Sequence, residues 1–193
     1  MNSQPLYRKT EEREFFAHHM LLHAASLSIS QAEATQVGQF NNCLAAMTMT
    51  ALAVEGLVNA VGSRVATDWT EFEKLRPHDK IDALVSQLAI DLSADNNLWE
   101  TLRFLGKFRN QIAHPKPELI VKDSHLSQAA LDSTNFSTPH SKLERQITVG
   151  NARRVHNAVD QLKGILTDAM PEDKRFGIYA DMWSGSTSLK HDA

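Results

Sequence analysis

From Phe40 to Val61 the apolar residues Phe40, Leu44, Met47, Ala51, Val54, Val58 and Val61 recur at alternating steps of four and three, and no other feature restricts the fold so strongly. That spacing keeps one narrow seam along one side of a helix, and such a seam is buried by laying another helix against it. The expected class is therefore all-α: an antiparallel helical bundle with a long second helix and short connecting helices. The pattern predicts that this long helix runs from about Gln31 to Arg64, opened by a capping box of Ser30 and Glu33.

Eight glycines and six prolines in 193 residues, without alternating runs of Val, Ile and Thr, leave little room for strands. A first helix is expected after Thr10, where Glu11, Glu12 and Glu14 suit the positive end of the helix dipole, and it would run through Phe15, Phe16 and Met20 to about Leu27. Thr70 and Glu73 form a second capping-box pattern for a short helix, and Pro77 suits the first position of another through about Ile90. Ser93 can cap the next helix, whose stripe of Leu98, Leu102, Leu105, Phe108 and Ile112 ends before Pro115. Residues 117–150 read as a polar loop with room for one short helix. A last helix from about Asn151 to Ala169 would turn Val155, Val159, Leu162, Ile165, Leu166 and Ala169 inward, leaving 171–193 as a flexible tail.

The length and the 42% hydrophobic content suit one core, so 1–193 is read as a single helical domain. A net charge of -3 gives no global pull towards nucleic acid or an anionic membrane, so any RNA contact must be local. The single cysteine, Cys43, excludes an internal disulfide and reads as a small buried hydrophobe in a reducing, cytoplasmic setting. The N-terminus lacks a basic region leading into an apolar run, and the apolar stretch 44–61 is interrupted by Thr48, Thr50, Glu55 and Asn59. Neither a secretory signal nor a membrane span is expected.

Chemistry concentrates in one segment, Phe108 to Pro117, with the sequence FRNQIAHPKP. On an ideal helix Arg109 continues the stripe of Leu98, Leu102, Leu105 and Ile112, so it faces the bundle or a partner. A guanidinium there requires a carboxylate, an anionic ligand or a wet interface. Glu55, bordering the seam of the long helix, is the expected partner, with Asn59 one turn further along. A structural ion pair between Arg109 and Glu55 satisfies the same pattern.

Arg109, Asn110, three residues and then His114 resemble the catalytic motif of the HEPN superfamily, in which an arginine, usually followed by a polar residue, precedes a histidine by four to six positions. The resemblance extends through the helical order, from a long helix bearing Glu55 and Asn59, through a connector with Pro77, to a motif helix ending in His-Pro. It covers roughly residues 31–117, under half of the chain. It implies a HEPN-type bundle that forms a homodimer and brings two motifs into one cleft. Many such proteins are metal-independent endoribonucleases that act as toxins, in defence or in RNA processing, and a toxin would have an antitoxin partner. Others have lost catalysis and bind nucleotides or proteins, so an interaction module with Arg109 and His114 as structural residues is the alternative.

The residue types suit cleavage of RNA by its own 2′-hydroxyl. Histidine titrates near neutral pH, so His114 can move the proton, and the Arg109 fork can meet the charge that develops on phosphorus. Asn110, one turn before His114, can orient the imidazole or bond a phosphate oxygen. Lys107, Lys116 and Lys122 surround the motif and suit a phosphate backbone. One difficulty is geometric: Arg109 and His114 lie about 140° apart on an ideal helix. Either Pro115 swings His114 away, or Arg109 of one subunit meets His114 of the other in a two-fold cleft. No cofactor or metal is expected. His19 and His23 share a helix face beside His18 but lack a third ligand, and His78, His125, His140, His156 and His191 are given no role.

Overall fold

The computed structural model describes residues 7–91, 96–123, 125, 127–132, 138–180 and 183–189. Its elements in chain order are β1 (Tyr7–Arg13), α1 (Ala17–Ala34), α2 (Gln39–Val65), α3 (Trp69–Glu73), α4 (Pro77–Gln87), α5 (Asn96–Ala113), α6 (Gln128–Asp132), α7 (Val149–Ala169) and β2 (Trp183–Leu189). The chain is mostly helical, as the seam requires.

The seam does its work in α2, which packs most extensively against α1 and also touches α7, α4 and α5. Met47, Ala51, Val54, Val58 and Val61 are all buried, and so are Ala46, Ala53, Leu57 and Ala60 on other sides of the helix. The alanines let neighbouring helices approach closely, which turns a one-sided seam into a central rod. Only Phe40, at the exposed start of α2, misses the core. Among the described residues α2 is also the one helix long and apolar enough to cross a membrane, and 56% of its most apolar window is buried inside the chain.

The boundary between α1 and α2 falls later than the sequence suggests. Ser30 and Glu33 lie inside α1 and form no cap; the break comes at residues 35–38, where Gly38 adopts a left-handed conformation with φ of 70°. Gln39 Nε2 then donates to the carbonyl of Ala32 at 2.8 Å, holding the turn closed. Glu33 serves α7 instead, accepting from Arg153 Nε at 3.0 Å and from Nη2 at 2.6 Å. Likewise Thr70 lies within α3, whose N-cap is Asp68, accepting from the amide of Glu71 at 3.1 Å. A reciprocal capping box occurs where none was read. The Ser141 hydroxyl accepts from the Glu144 amide at 3.0 Å, and the Glu144 carboxylate accepts from the Ser141 amide at 2.7 Å. The expected cap Ser93 lies outside the described residues. α7 begins at Val149 with Thr148 as its cap, which accepts from the Asn151 amide at 3.1 Å.

Residues 7–13 form a strand that takes in Glu11 and Glu12, so the first helix begins at Ala17 and not directly after Thr10; the strand pairs antiparallel with residues 183–189, with Thr10 opposite Ser186. Residues 171–180 pack onto the bundle, with Ile178 fully buried, so the described part of the expected tail is structured. Two histidines hold it: His18 Nε2 meets the Ile178 carbonyl at 3.0 Å, and His19 Nε2 meets the Gly177 carbonyl at 2.8 Å. Gly177 has a φ of 77° and lies against the Phe16 ring, where a side chain would collide. Within 117–150, the structure adds the short α6 and a 3-10 turn at Glu144–Gln146.

Arg153 bonding holds the Glu33 carboxyl below its ordinary value of 4.5, against a smaller opposing effect of burial. The Ser141 amide, the Ser141 side chain and the charge of His140 hold Glu144 low as well. A carboxyl depressed in the folded state adds stability that is present above its unfolded value and lost as pH falls through its folded value. The melting temperature is therefore expected to drop on acidification below about pH 4.5, and Glu33→Gln should flatten part of that slope in a thermal denaturation series. An unchanged slope would show that the Arg153 pair contributes nothing to it.

Candidate functional site

The motif lies at the C-terminal end of α5. Leu98, Thr101, Leu102, Leu105 and Phe108 bury one side of this helix, and Ile112 packs partly against the same core. Phe108 is fully buried and anchors the last turns, so Arg109 emerges at the border between core and solvent. There its Nη2 donates to Glu55 Oε2 of α2 at 3.3 Å, with the side chains 34% and 38% exposed. This is the one hydrogen bond the guanidinium makes among the described residues, so most of its five donors have no protein partner there. A half-exposed pair of this kind stabilises little, on the order of 1 kcal/mol or less.

Asn110 and His114 are exposed. The amide of His114 donates to the Asn110 carbonyl at 3.0 Å, so His114 still completes the last helical turn. Pro115 ends the helix without displacing the His114 amide from the ladder, and the angle of about 140° between Arg109 and His114 persists within one chain. Among the described residues the imidazole makes no hydrogen bond. Lys107 and Lys116 flank it, both exposed. Lys122 lines a hollow of about 490 Å³ of mixed character, together with Ile120, Val121, Asp123, His140 and Arg145.

Asn59 does not join Arg109. Its side-chain oxygen accepts from Lys80 Nζ of α4 at 2.7 Å, because one turn beyond Glu55 the neighbour of α2 is α4 rather than α5. Lys80 is 4% exposed, and its ammonium lies 5.8 Å from the centre of the Phe72 ring, so a carbonyl and an aromatic face compensate its burial. The hydrophilic look of Lys80 in sequence gave no sign of this.

A second hollow, of about 160 Å³, lies between α4 and the first half of α5 and is lined by His78, Asp82, Asn96, Trp99, Glu100 and Arg103. Of these only His78 was considered from the sequence, and it was given no role; Asp82, Asn96, Trp99, Glu100 and Arg103 carry no periodic or motif signal that would have singled them out. His78 Nε2 approaches Asp82 at 3.8 Å, one turn along α4. Of the histidines near the N-terminus, His18 and His19 are occupied with backbone carbonyls and His23 is exposed. Among the described residues no group of three His, Cys, Asp or Glu side chains is placed to hold a metal ion. Cys43 is 1% exposed, and burial pushes its thiol up, away from the reactive thiolate.

No protein-family model, curated protein or solved structure matches this chain. The arrangement offers an exposed imidazole, an exposed amide and a guanidinium fixed at one corner by a carboxylate, with two lysines alongside.

Proposed function

We propose that the protein is a HEPN-like, metal-independent endoribonuclease whose site is built from Arg109, Asn110 and His114. The observation that carries this reading is the exposure of Asn110 and His114 beside an Arg109 tethered by a single bond to Glu55. Side chains kept for packing would be consumed by internal hydrogen bonds.

In the proposed reaction the 2′-hydroxyl gives its proton to the His114 imidazole, and the 2′-oxygen attacks phosphorus. The bond to the 5′-oxygen breaks, leaving a 2′,3′-cyclic phosphate, and the departing oxygen takes a proton from an imidazolium. Arg109 donates parallel hydrogen bonds to the equatorial oxygens as charge accumulates, and Glu55 keeps the guanidinium in place. Since Arg109 and His114 diverge by about 140° on one helix, two copies related by a two-fold axis supply one residue each to a given phosphate. Lys107 and Lys116, with Lys122 at the hollow, meet flanking phosphates. A toxin held by an antitoxin protein, acting in the cytoplasm, fits this chemistry.

A second reading has its own observation. The Arg109 to Glu55 pair ties α5 to α2, which is what a structural arginine in a non-catalytic nucleotide-, RNA- or protein-binding module would do. The test is incubation of mixed structured and single-stranded RNAs with the folded protein in EDTA, with product ends analysed. Cleavage leaving 2′,3′-cyclic phosphate is the expected result. Intact RNA at every protein concentration would overturn the nuclease reading and favour the binding module.

A further inference from the structure

β1 is a strand without a hydrophobic face. All of Tyr7–Arg13 is exposed except the partly covered Thr10, and one edge is paired with β2. The sheet has two strands among the described residues, so the edge of residues 8–12 that faces away from β2 has no described strand beside it. An isolated two-stranded ribbon in water is marginal, and further strands are the usual remedy. β1 also differs from β2 in chemistry: residues 184–188 of β2 are Ser, Gly, Ser, Thr and Ser, whereas residues 8–12 of β1 are Arg, Lys, Thr, Glu and Glu.

The β1 segment is complementary to itself when reversed. We propose that the free edge of β1 pairs antiparallel with β1 of a second copy of this chain, centred on Thr10, to make a four-stranded sheet in the order β2, β1, β1, β2. In that register Arg8 lies opposite Glu12 of the second copy, Lys9 opposite Glu11, and Thr10 opposite Thr10. Four cross-strand pairs of opposite charge result, and no like charges face each other.

Symmetry makes the register selective. Directly opposed residues share a face of the sheet, and a two-fold axis normal to the sheet keeps every side chain on its own face, so the axis must fall midway between a residue of β1 and the same residue of the second copy. Centred on Arg8, Lys9, Glu11 or Glu12, the pairing sets that charge against its own copy, and the Glu11 register also opposes Lys9 to Arg13. Thr10 is the one centre within residues 8–12 where opposition is wholly favourable. Lys9 Nζ and Glu11 Oε1 already meet at 2.8 Å along one face of the strand, so the second copy extends an existing pair into a group of four alternating charges. No motif residue takes part in this pairing, so reversing the charges of β1 leaves Arg109, Asn110 and His114 in place.

Sedimentation of the full chain across a wide concentration range tests it, with circular dichroism to confirm the fold. Wild type is expected to dimerise, more weakly at high salt. The double variant Arg8→Glu, Lys9→Glu sets only glutamates against each other and should weaken self-association on the order of 100-fold, as should Glu11→Lys, Glu12→Lys. The side chains are exposed and face uncharged residues of β2, so the ribbon is spared. Mixing the two variants restores four opposite pairs and should give a one-to-one heterodimer. Thr10→Cys should oxidise to a disulfide-linked dimer, since opposed Cα atoms lie about 4.5–5.5 Å apart and the native Cys43 is buried. A monomeric wild type, or a dimer indifferent to both reversals, would overturn the proposal.

Discussion

His114→Ala is expected to slow RNA cleavage about 100- to 10,000-fold, the usual contribution of a positioned acid or base. The side chain is exposed and makes no hydrogen bond among the described residues, so unfolding free energy should move by less than about 0.5 kcal/mol. Arg109→Ala should cost a similar factor, about 100- to 1000-fold, through lost stabilisation of developing charge. Its effect on stability stays small because Glu55, 38% exposed, remains solvated without its partner. Arg109→Lys keeps the charge but loses the planar fork, and should recover only part of the rate. Mixing the two inactive alanine variants is more informative still. If each site takes Arg109 from one copy and His114 from the other, a mixed dimer has one intact site, and random exchange restores roughly a quarter of wild-type activity. Failure to recover any activity after demonstrated subunit exchange would sink the composite site.

Gly62→Ala should destabilise the fold by about 1–3 kcal/mol, the usual cost of overpacking, which reverses the ordinary sign of such a change. In the middle of a helix, glycine is about 1 kcal/mol worse than alanine. A methyl at Gly62 of α2, however, would sit 2.6 Å from Cζ and 2.7 Å from Cδ1 of Phe72. That ring has little room to yield, being 6% exposed and stacked at 5.8 Å on Trp69, with the Lys80 ammonium over it. Gly106 of α5 supplies the control, because a Cβ there meets nothing within 4 Å. Gly106→Ala should stabilise by up to about 1 kcal/mol. Chemical denaturation of both variants measures the pair, and a stabilised Gly62→Ala would show that Phe72 moves aside freely.

The helical core was legible because burial leaves a period in the sequence. Met47 through Val61, Leu98 through Phe108 and Val155 through Leu166 could be placed from spacing alone, and so could the approach of Arg109 to Glu55. What leaves no period stayed hidden. β1 is wet on both faces, so its residues do not alternate, and three glutamates between Thr10 and Phe15 resemble a helix start. Ser30 with Glu33 imitates a capping box, yet Glu33 answers to Arg153, a residue 120 positions away. Asn59 was drawn towards Arg109 by its place on α2, while the partner that claims it, Lys80, belongs to a helix the local pattern does not connect to it. Long-range polar pairing of this kind depends on which helix happens to be adjacent, and one sequence carries no record of adjacency.

The pairing of β1 with β2, and of His18 and His19 with the carbonyls of residues 177 and 178, also orders events during synthesis. The histidine contacts span 160 and 158 residues and the strand pairing spans more, so α1 and α2 can emerge from the ribosome and pack while β1 still lacks β2. At typical elongation rates that interval lasts roughly 10–30 s. During it, neighbouring nascent chains on one message would present matching copies of the Arg8 to Glu12 segment to each other, and the charges that select a register in the finished protein would be the first contacts available between them.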